Sequence, residues 1–173
     1  AALIGRSGSY AKELFDWMTP LFANEPIAWQ RIRHALCKLS ELAWSIEPAF
    51  RAGWSYQRII QSSLKGVDHK ERLMLALALF HRNQTRWKGD KSEIKLLDER
   101  ERQWARCVGL AANLAFQLSG GHAGNLHHAK LRFHDGQVLL TLDDEARPLR
   151  TEAVEKRVDG LGEALRAFSN FVM

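Results

Sequence analysis

Successive amphipathic segments at helical spacing, one stretch that alternates at period two around Asp135-Gly136, and a capped apolar segment after it predict a mainly α-helical bundle with a small C-terminal β-hairpin and a terminal helix. The length agrees, since 173 residues, 46% of them hydrophobic, bury one substantial core. The expected organisation is a helical bundle over residues 1–125 and a hairpin-plus-helix appendage over 126–173, packed together as one structural unit because two isolated strands are marginal in water.

The first helix is expected over Ser9 to Ala23, where Leu14, Phe15, Met18, Leu21 and Phe22 recur at helical spacing, Ser9 is placed to cap and Pro20 kinks or ends the turn. Pro26 opens a second pattern from Trp29 to Ile46, with Ile32, Leu36, Leu39, Ala43 and Ile46 on one arc and His34, Lys38, Glu41 and Ser45 on the outer face. Pro48 stops it. A third helix is expected from Ser55 to Leu64, ended by Lys65-Gly66. Asp68 and Glu71 stand at capping-box spacing ahead of Leu73 to Phe80, a run apolar on every side as a central helix is. Gln84 to Ser92 reads as a surface loop, and Asp98 to Leu118 as a long helix ended by Gly120-Gly121. Asp135-Gly136 is the favoured two-residue hairpin turn, and Thr151 caps the last helix, which carries Val154, Val158, Leu161, Leu165 and Phe168.

Composition excludes several classes. The chain has no apolar run long enough to span a bilayer, and AALIGRSGSYAKELF lacks the apolar centre of a signal peptide, so a soluble, cytoplasmic protein is expected. Because residue 1 is not methionine, the chain reads as an excised piece of a longer protein. Cys37 and Cys107 lie inside helical patterns, far from a metal-binding or disulfide spacing, and read as buried thiols. Lys and Arg number 25 against 20 Asp and Glu, with a pI near 9.5, which suits an anionic partner. No recognition-helix signature or concentrated basic run marks a nucleic-acid binder. Six tryptophans (Trp17, Trp29, Trp44, Trp54, Trp87 and Trp104) are more than one core assigns readily, so an apolar surface patch and homodimerisation are weighed. The His127-His128 doublet reads as surface.

Arg31 to Asn83 carries a collinear set of features: His34-Ala35, Cys37, Leu39-Ser40-Glu41-Leu42-Ala43-Trp44, Pro48, Phe50-Arg51, Gly66-Val67-Asp68-His69, then Leu75-Ala76-Leu77-Ala78 through Phe80-His81-Arg82. In these it resembles the C-terminal domain of the exopolyphosphatase and guanosine pentaphosphate phosphohydrolase (Ppx/GppA) family, in its alphaproteobacterial branch, and the likeness extends loosely to both ends. The resemblance implies an HD-like helical domain, belonging to a parent hydrolase whose N-terminal actin-like lobes cleave polyphosphate or guanosine pentaphosphate with a divalent metal such as magnesium. It implies that this piece is not itself an enzyme.

HD phosphohydrolases hold metals with histidines and an adjacent His-Asp pair. At that place this chain reads Ser40-Glu41, and where fuller relatives put histidine before serine it reads Trp54-Ser55, so the position is degenerate and no metal or cofactor is expected. His34, Glu41, His69 and His81 remain as the members of a rearranged centre. That centre underlies the alternative, an autonomous HD-type metal-dependent nucleotide phosphohydrolase. For a polyanionic substrate the resembling region offers Arg31, Arg33, His34, Arg51, Lys65, His69, Arg72 and Arg82 as polyphosphate-binding candidates, since guanidinium and ammonium groups bind phosphate oxygens through charge and bidentate contacts.

Overall fold

The computed structural model describes residues 8–89 and 91–171; residues 1–7, 90, 172 and 173, which the expected two-part division includes, lie outside them. The chain runs α1 (Gly8–Met18), α2 (Ile27–Leu39), α3 (Arg51–Ile60), α4 (His69–Asn83), α5 (Glu99–Ser119), the antiparallel strands β1 (Ala129–His134) and β2 (Gln137–Leu142), and α6 (Glu152–Ser169). It is mainly helical with a C-terminal hairpin and helix, as the periodicities predict.

The core forms around α4 and α5, which pack along each other, with α3 and α2 against α4 and α6 against α5. Every residue of α4 from Leu73 to Arg82 is buried. Both central helices start at complete capping boxes: the Asp68 and Asp98 carboxylates accept from the amides of Glu71 and Glu101, whose side chains accept in return from the cap amides. α5 ends at Gly120, in the left-handed conformation. The two helices approach closest at Gly109, where a Cβ would stand 2.4 Å from the Ala78 carbonyl oxygen and 2.5 Å from the His81 Cβ. Only glycine fits there.

The hairpin pairs His134 with Gln137 around Asp135 and Gly136, both at positive φ (50° and 73°), as a type I′ turn requires. β2 rests on α6, and the Trp17 indole donates to the Ala129 carbonyl at 2.8 Å, tying α1 to β1. The Thr151 hydroxyl caps α6 by accepting from the Val154 amide.

Several element boundaries differ from the sequence reading: α1 contains Ser9 and stops at Met18, before a single 3₁₀ turn at Thr19–Leu21, not at Ala23, and α3 stops at Ile60, not Leu64. α2 stops at Leu39, not Ile46, because Ser40 turns its hydroxyl back onto the Cys37 carbonyl (3.0 Å) and the next residues form successive short turns. Glu41 consequently swings inward and is buried, not on an outer helical face. α3 begins at Arg51, four residues before Ser55, because Ala52, Ser55, Tyr56 and Ile59 make one buried stripe. The expected loop from Gln84 is only partly surface: Trp87 folds back to 5.0 Å from the Tyr56 ring and 4.7 Å from that of Phe80.

The tryptophans divide. Trp17 and Trp104 belong to the core, Trp29 and Trp87 pack half-buried against it, and Trp44 and Trp54 are exposed. Cys37 and Cys107 are both buried. No helix among the described residues is long and apolar enough to cross a membrane.

Candidate functional site

The residues named for phosphate contact fall into separate environments. At the N-terminal end of α4, Lys65 and His69 are exposed and Arg72 is half-buried. Arg31 of α2 donates to the Glu71 carboxylate in the first turn of α4 at 2.7 Å. His34 lies on the exposed side of α2, edge-on to Phe15 at 5.3 Å, with its pKa lowered by partial burial and by Lys38 and Arg33.

Arg33 is a correction to the sequence reading. It is fully buried: Nε donates to the Glu25 carboxylate at 2.8 Å, and Nη1 to the Phe15 carbonyl and the Thr19 hydroxyl, both at 3.1 Å. Nη2 approaches the same Glu25 oxygen to 2.7 Å as a charge contact. The other Glu25 oxygen accepts from the Trp104 indole at 3.0 Å. A guanidinium enclosed and matched this way locks α1, α2 and α5 together and has no surface to offer a polyanion.

Arg51 and Arg82 meet at the other end of α4, about 15 Å from Arg72 at 1.5 Å of rise per residue. They line a cavity of about 210 Å³ with Ser40, Glu41, Ala43, Trp44, Asn83, Phe116 and Gly120. Arg82 is 7% exposed. Its Nη1 donates to the Asn83 side-chain oxygen at 3.3 Å, its guanidinium carbon sits 4.2 Å over the Phe116 ring, and its Nε has no partner. Burial lowers its pKa to about 10, against the opposing pull of Tyr10 and Glu41, so it stays charged at neutral pH. Its backbone is braced from α5: Asn113 donates to the Arg82 carbonyl at 2.8 Å and is itself held by Arg157 of α6, also at 2.8 Å.

Arg51 also lines the cavity. Its Nε and Nη2 hold the Ile46 and Trp44 carbonyls, at 2.7 and 3.2 Å, which fixes the turns that carry Glu41. Gly121, at φ 77°, lets the end of α5 approach Glu41; a Cβ there would lie 2.6 Å from its carboxylate oxygen. Two guanidiniums against one carboxylate leave the cavity with an excess of one positive charge.

Ser40 and Glu41 of the degenerate position therefore line this cavity, but Trp54 does not. Trp54 borders a separate apolar groove of about 620 Å³ with Phe50, Tyr56, Phe80 and Trp87. The four groups of the rearranged centre do not converge either. His69 and His81 are about 18 Å apart along α4, and His34 is exposed on α2 while Glu41 is in the cavity. Buried His81 faces α5, with its pKa pushed down to about 4 by burial and by Arg106. Among the described residues no group of three or more His, Cys, Asp or Glu is arranged to hold a metal.

Sequence reasoning missed Asn83, Phe116, Glu25 and Asn113. Asn83 follows Arg82 directly and was within reach; the others join the site only through packing. The His127-His128 pair lies at the surface, as read. The ring centroids are 3.7 Å apart at a tilt, and Asp143, brought across by the hairpin, reaches His128 Nδ1 at 2.7 Å and raises its pKa.

Fold and site define a mainly helical domain with two buried guanidiniums, Arg33 within α2 and Arg82 near the C-terminal end of α4. The chain belongs to the exopolyphosphatase C-terminal domain family: the family model for exopolyphosphatase, C-terminal, matches residues 1–172. No curated protein matches the chain.

Proposed function

We propose that this chain is a non-catalytic C-terminal domain of an exopolyphosphatase, contributing polyphosphate binding, contacts to the N-terminal actin-like lobes of its parent, and homodimerisation. The carrying observation is the set of basic residues Lys65, His69 and Arg72 at the start of α4, where Arg31 of α2 pairs with Glu71, in a chain with a net charge of +5 that belongs to this family. Ammonium and guanidinium groups attract a polyanion through charge and through contacts to phosphate oxygens. Hydrolysis belongs to the lobes, where the divalent metal acts. The exposed Phe50 and Trp54, which line the apolar groove, are the surface for the lobes or a second copy. The cavity at Ser40 and Glu41 takes the place of an HD metal centre.

The autonomous HD-type phosphohydrolase reading needs metal at Glu41 with His34, His69 or His81, and their separation argues against it. The test is charge neutralisation at the start of α4. Lys65→Gln/His69→Gln/Arg72→Gln should weaken medium-chain polyphosphate binding at least tenfold and flatten its salt dependence. Unchanged affinity in the folded triple variant would place polyphosphate elsewhere and sink the assignment.

A further inference from the structure

His128 stands between two acids. Its Nδ1 lies 2.7 Å from an Asp143 carboxylate oxygen and its Nε2 3.3 Å from one of Glu145. A neutral imidazole carries one N–H and one lone pair, so it can donate to only one of two carboxylates and turns its lone pair on the other. Both contacts are attractive together only when the ring is the imidazolium. The two acids belong to the segment that joins β2 to α6, and Asp143 also shapes that segment. Its amide donates to the His128 carbonyl at 3.0 Å, and its other carboxylate oxygen accepts from the amide of buried Ala146 at 3.0 Å.

We propose that the segment from Asp143 to Arg150 is a pH-sensitive strap, held against the 3₁₀ turn Leu126–His128 by the imidazolium and loosened when the ring gives up its proton. Glu145 is the arm released, since its contact is the longer and its side chain the more exposed, 80% against 50% for Asp143. The Asp143 hydrogen bond, against a smaller effect of desolvation and with the charge of both acids, raises the His128 pKa above the ordinary histidine value. The contribution of the strap is therefore complete below about pH 6.5 and is lost as pH rises through that raised value. Of the other charged groups near the turn, His127 stacks at 3.7 Å and, when charged, opposes the proton on His128. His127 borders a groove with Lys12, Glu13, Asp16 and Lys130. There Lys12 and Asp16 pair with each other, and Glu13 is spent on the Gly124 and Leu126 amides at 2.6 and 2.8 Å. Asp144 pairs with Arg147 within the strap. The strap shares no residue with the phosphate candidates, so it stands or falls separately from polyphosphate binding.

The experiment follows the histidine Cε1–Hε1 resonances of the chain by nuclear magnetic resonance from about pH 5 to about pH 9, with amide exchange of Asp143 and Ala146 expressed as protection factors on the same samples. The expected result is a His128 midpoint above the ordinary histidine value, lowered by Glu145→Gln. Protection of the two amides should fall about two- to fivefold across that midpoint, as the loss of a surface ion pair allows. His128→Gln should remove the pH dependence of the protection, and Glu145→Gln, at an exposed side chain, keeps the proposal testable if His128→Gln fails to fold. A midpoint at or below the ordinary value, a midpoint that ignores Glu145→Gln, or protection that stays level across it would overturn the strap.

Discussion

Removing the Glu25 carboxylate should be among the most damaging single changes this fold can suffer. Glu25→Ala leaves the Arg33 guanidinium, itself 0% exposed, without a counter-charge, and takes the acceptor from the Trp104 indole. Breaking a buried pair from one side costs about 3–5 kcal/mol, against a total stability of about 5–15 kcal/mol for a typical domain. With a urea m-value of about 2.5 kcal/mol/M, the midpoint should fall by about 1.2–2 M. Urea unfolding followed by tryptophan fluorescence and far-UV circular dichroism measures it directly. The double variant Glu25→Ala/Arg33→Met removes both charges, so it should lose less than Glu25→Ala and Arg33→Met added together, with a coupling of about 2 kcal/mol or more. A loss below about 1 kcal/mol in Glu25→Ala, or simple additivity in the cycle, would refute the view that this pair locks α1, α2 and α5.

Three further outcomes follow from the packing. Gly109→Ala gains about 1 kcal/mol of helix propensity but forces a methyl to within 2.4 Å of the Ala78 carbonyl oxygen. Overpacking should win by about 1–2 kcal/mol and lower Tm by several degrees; a raised Tm would mean that α4 and α5 are not in close contact. His81, with a pKa near 4 folded and about 6.5 unfolded, binds fewer protons folded than unfolded between those values. Its contribution is therefore complete above about pH 6.5 and lost as pH falls toward 4, to a total of about 3 kcal/mol. His81→Gln should flatten that slope in urea titrations compared with wild type, and parallel profiles would contradict the burial argument. The Cys37 thiol, pushed up to about 12 by burial, and the Cys107 thiol, raised further by the same cause, should both resist an aromatic disulfide reagent at pH 8 and react only on unfolding. Rapid labelling of the folded chain would place a thiol at the surface.

Features legible in the sequence were those set by neighbours in the chain. The capping box at Asp68, the helix start at Asp98, the Asp135-Gly136 turn, the Thr151 cap and the glycine stop after α5 depend on spacings of a few residues, and all formed where expected. The site was less legible because its electrostatics are tertiary. Arg33 sits beside the apolar arc of Ile32, Leu36 and Leu39, but its partner Glu25 lies across a proline and its cage comes from α1 and α5. Glu41 turned inward because one serine hydroxyl ended α2 early, a competition that periodicity alone does not resolve. Arg82 had a readable signal: it ends a helix apolar on every side, so burial was implied by the run before it. Its lack of an ion pair was not, since that depends on everything that surrounds it.

The most direct test of the account is calorimetric titration of the unmodified chain with medium-chain polyphosphate at two salt concentrations, with metal content measured on the same sample. The account predicts binding without bound metal that weakens steeply as salt rises, because counterions are released when basic groups neutralise a polyanion. No heat of binding at low salt from a folded sample, or binding that needs metal and ignores salt, would contradict it.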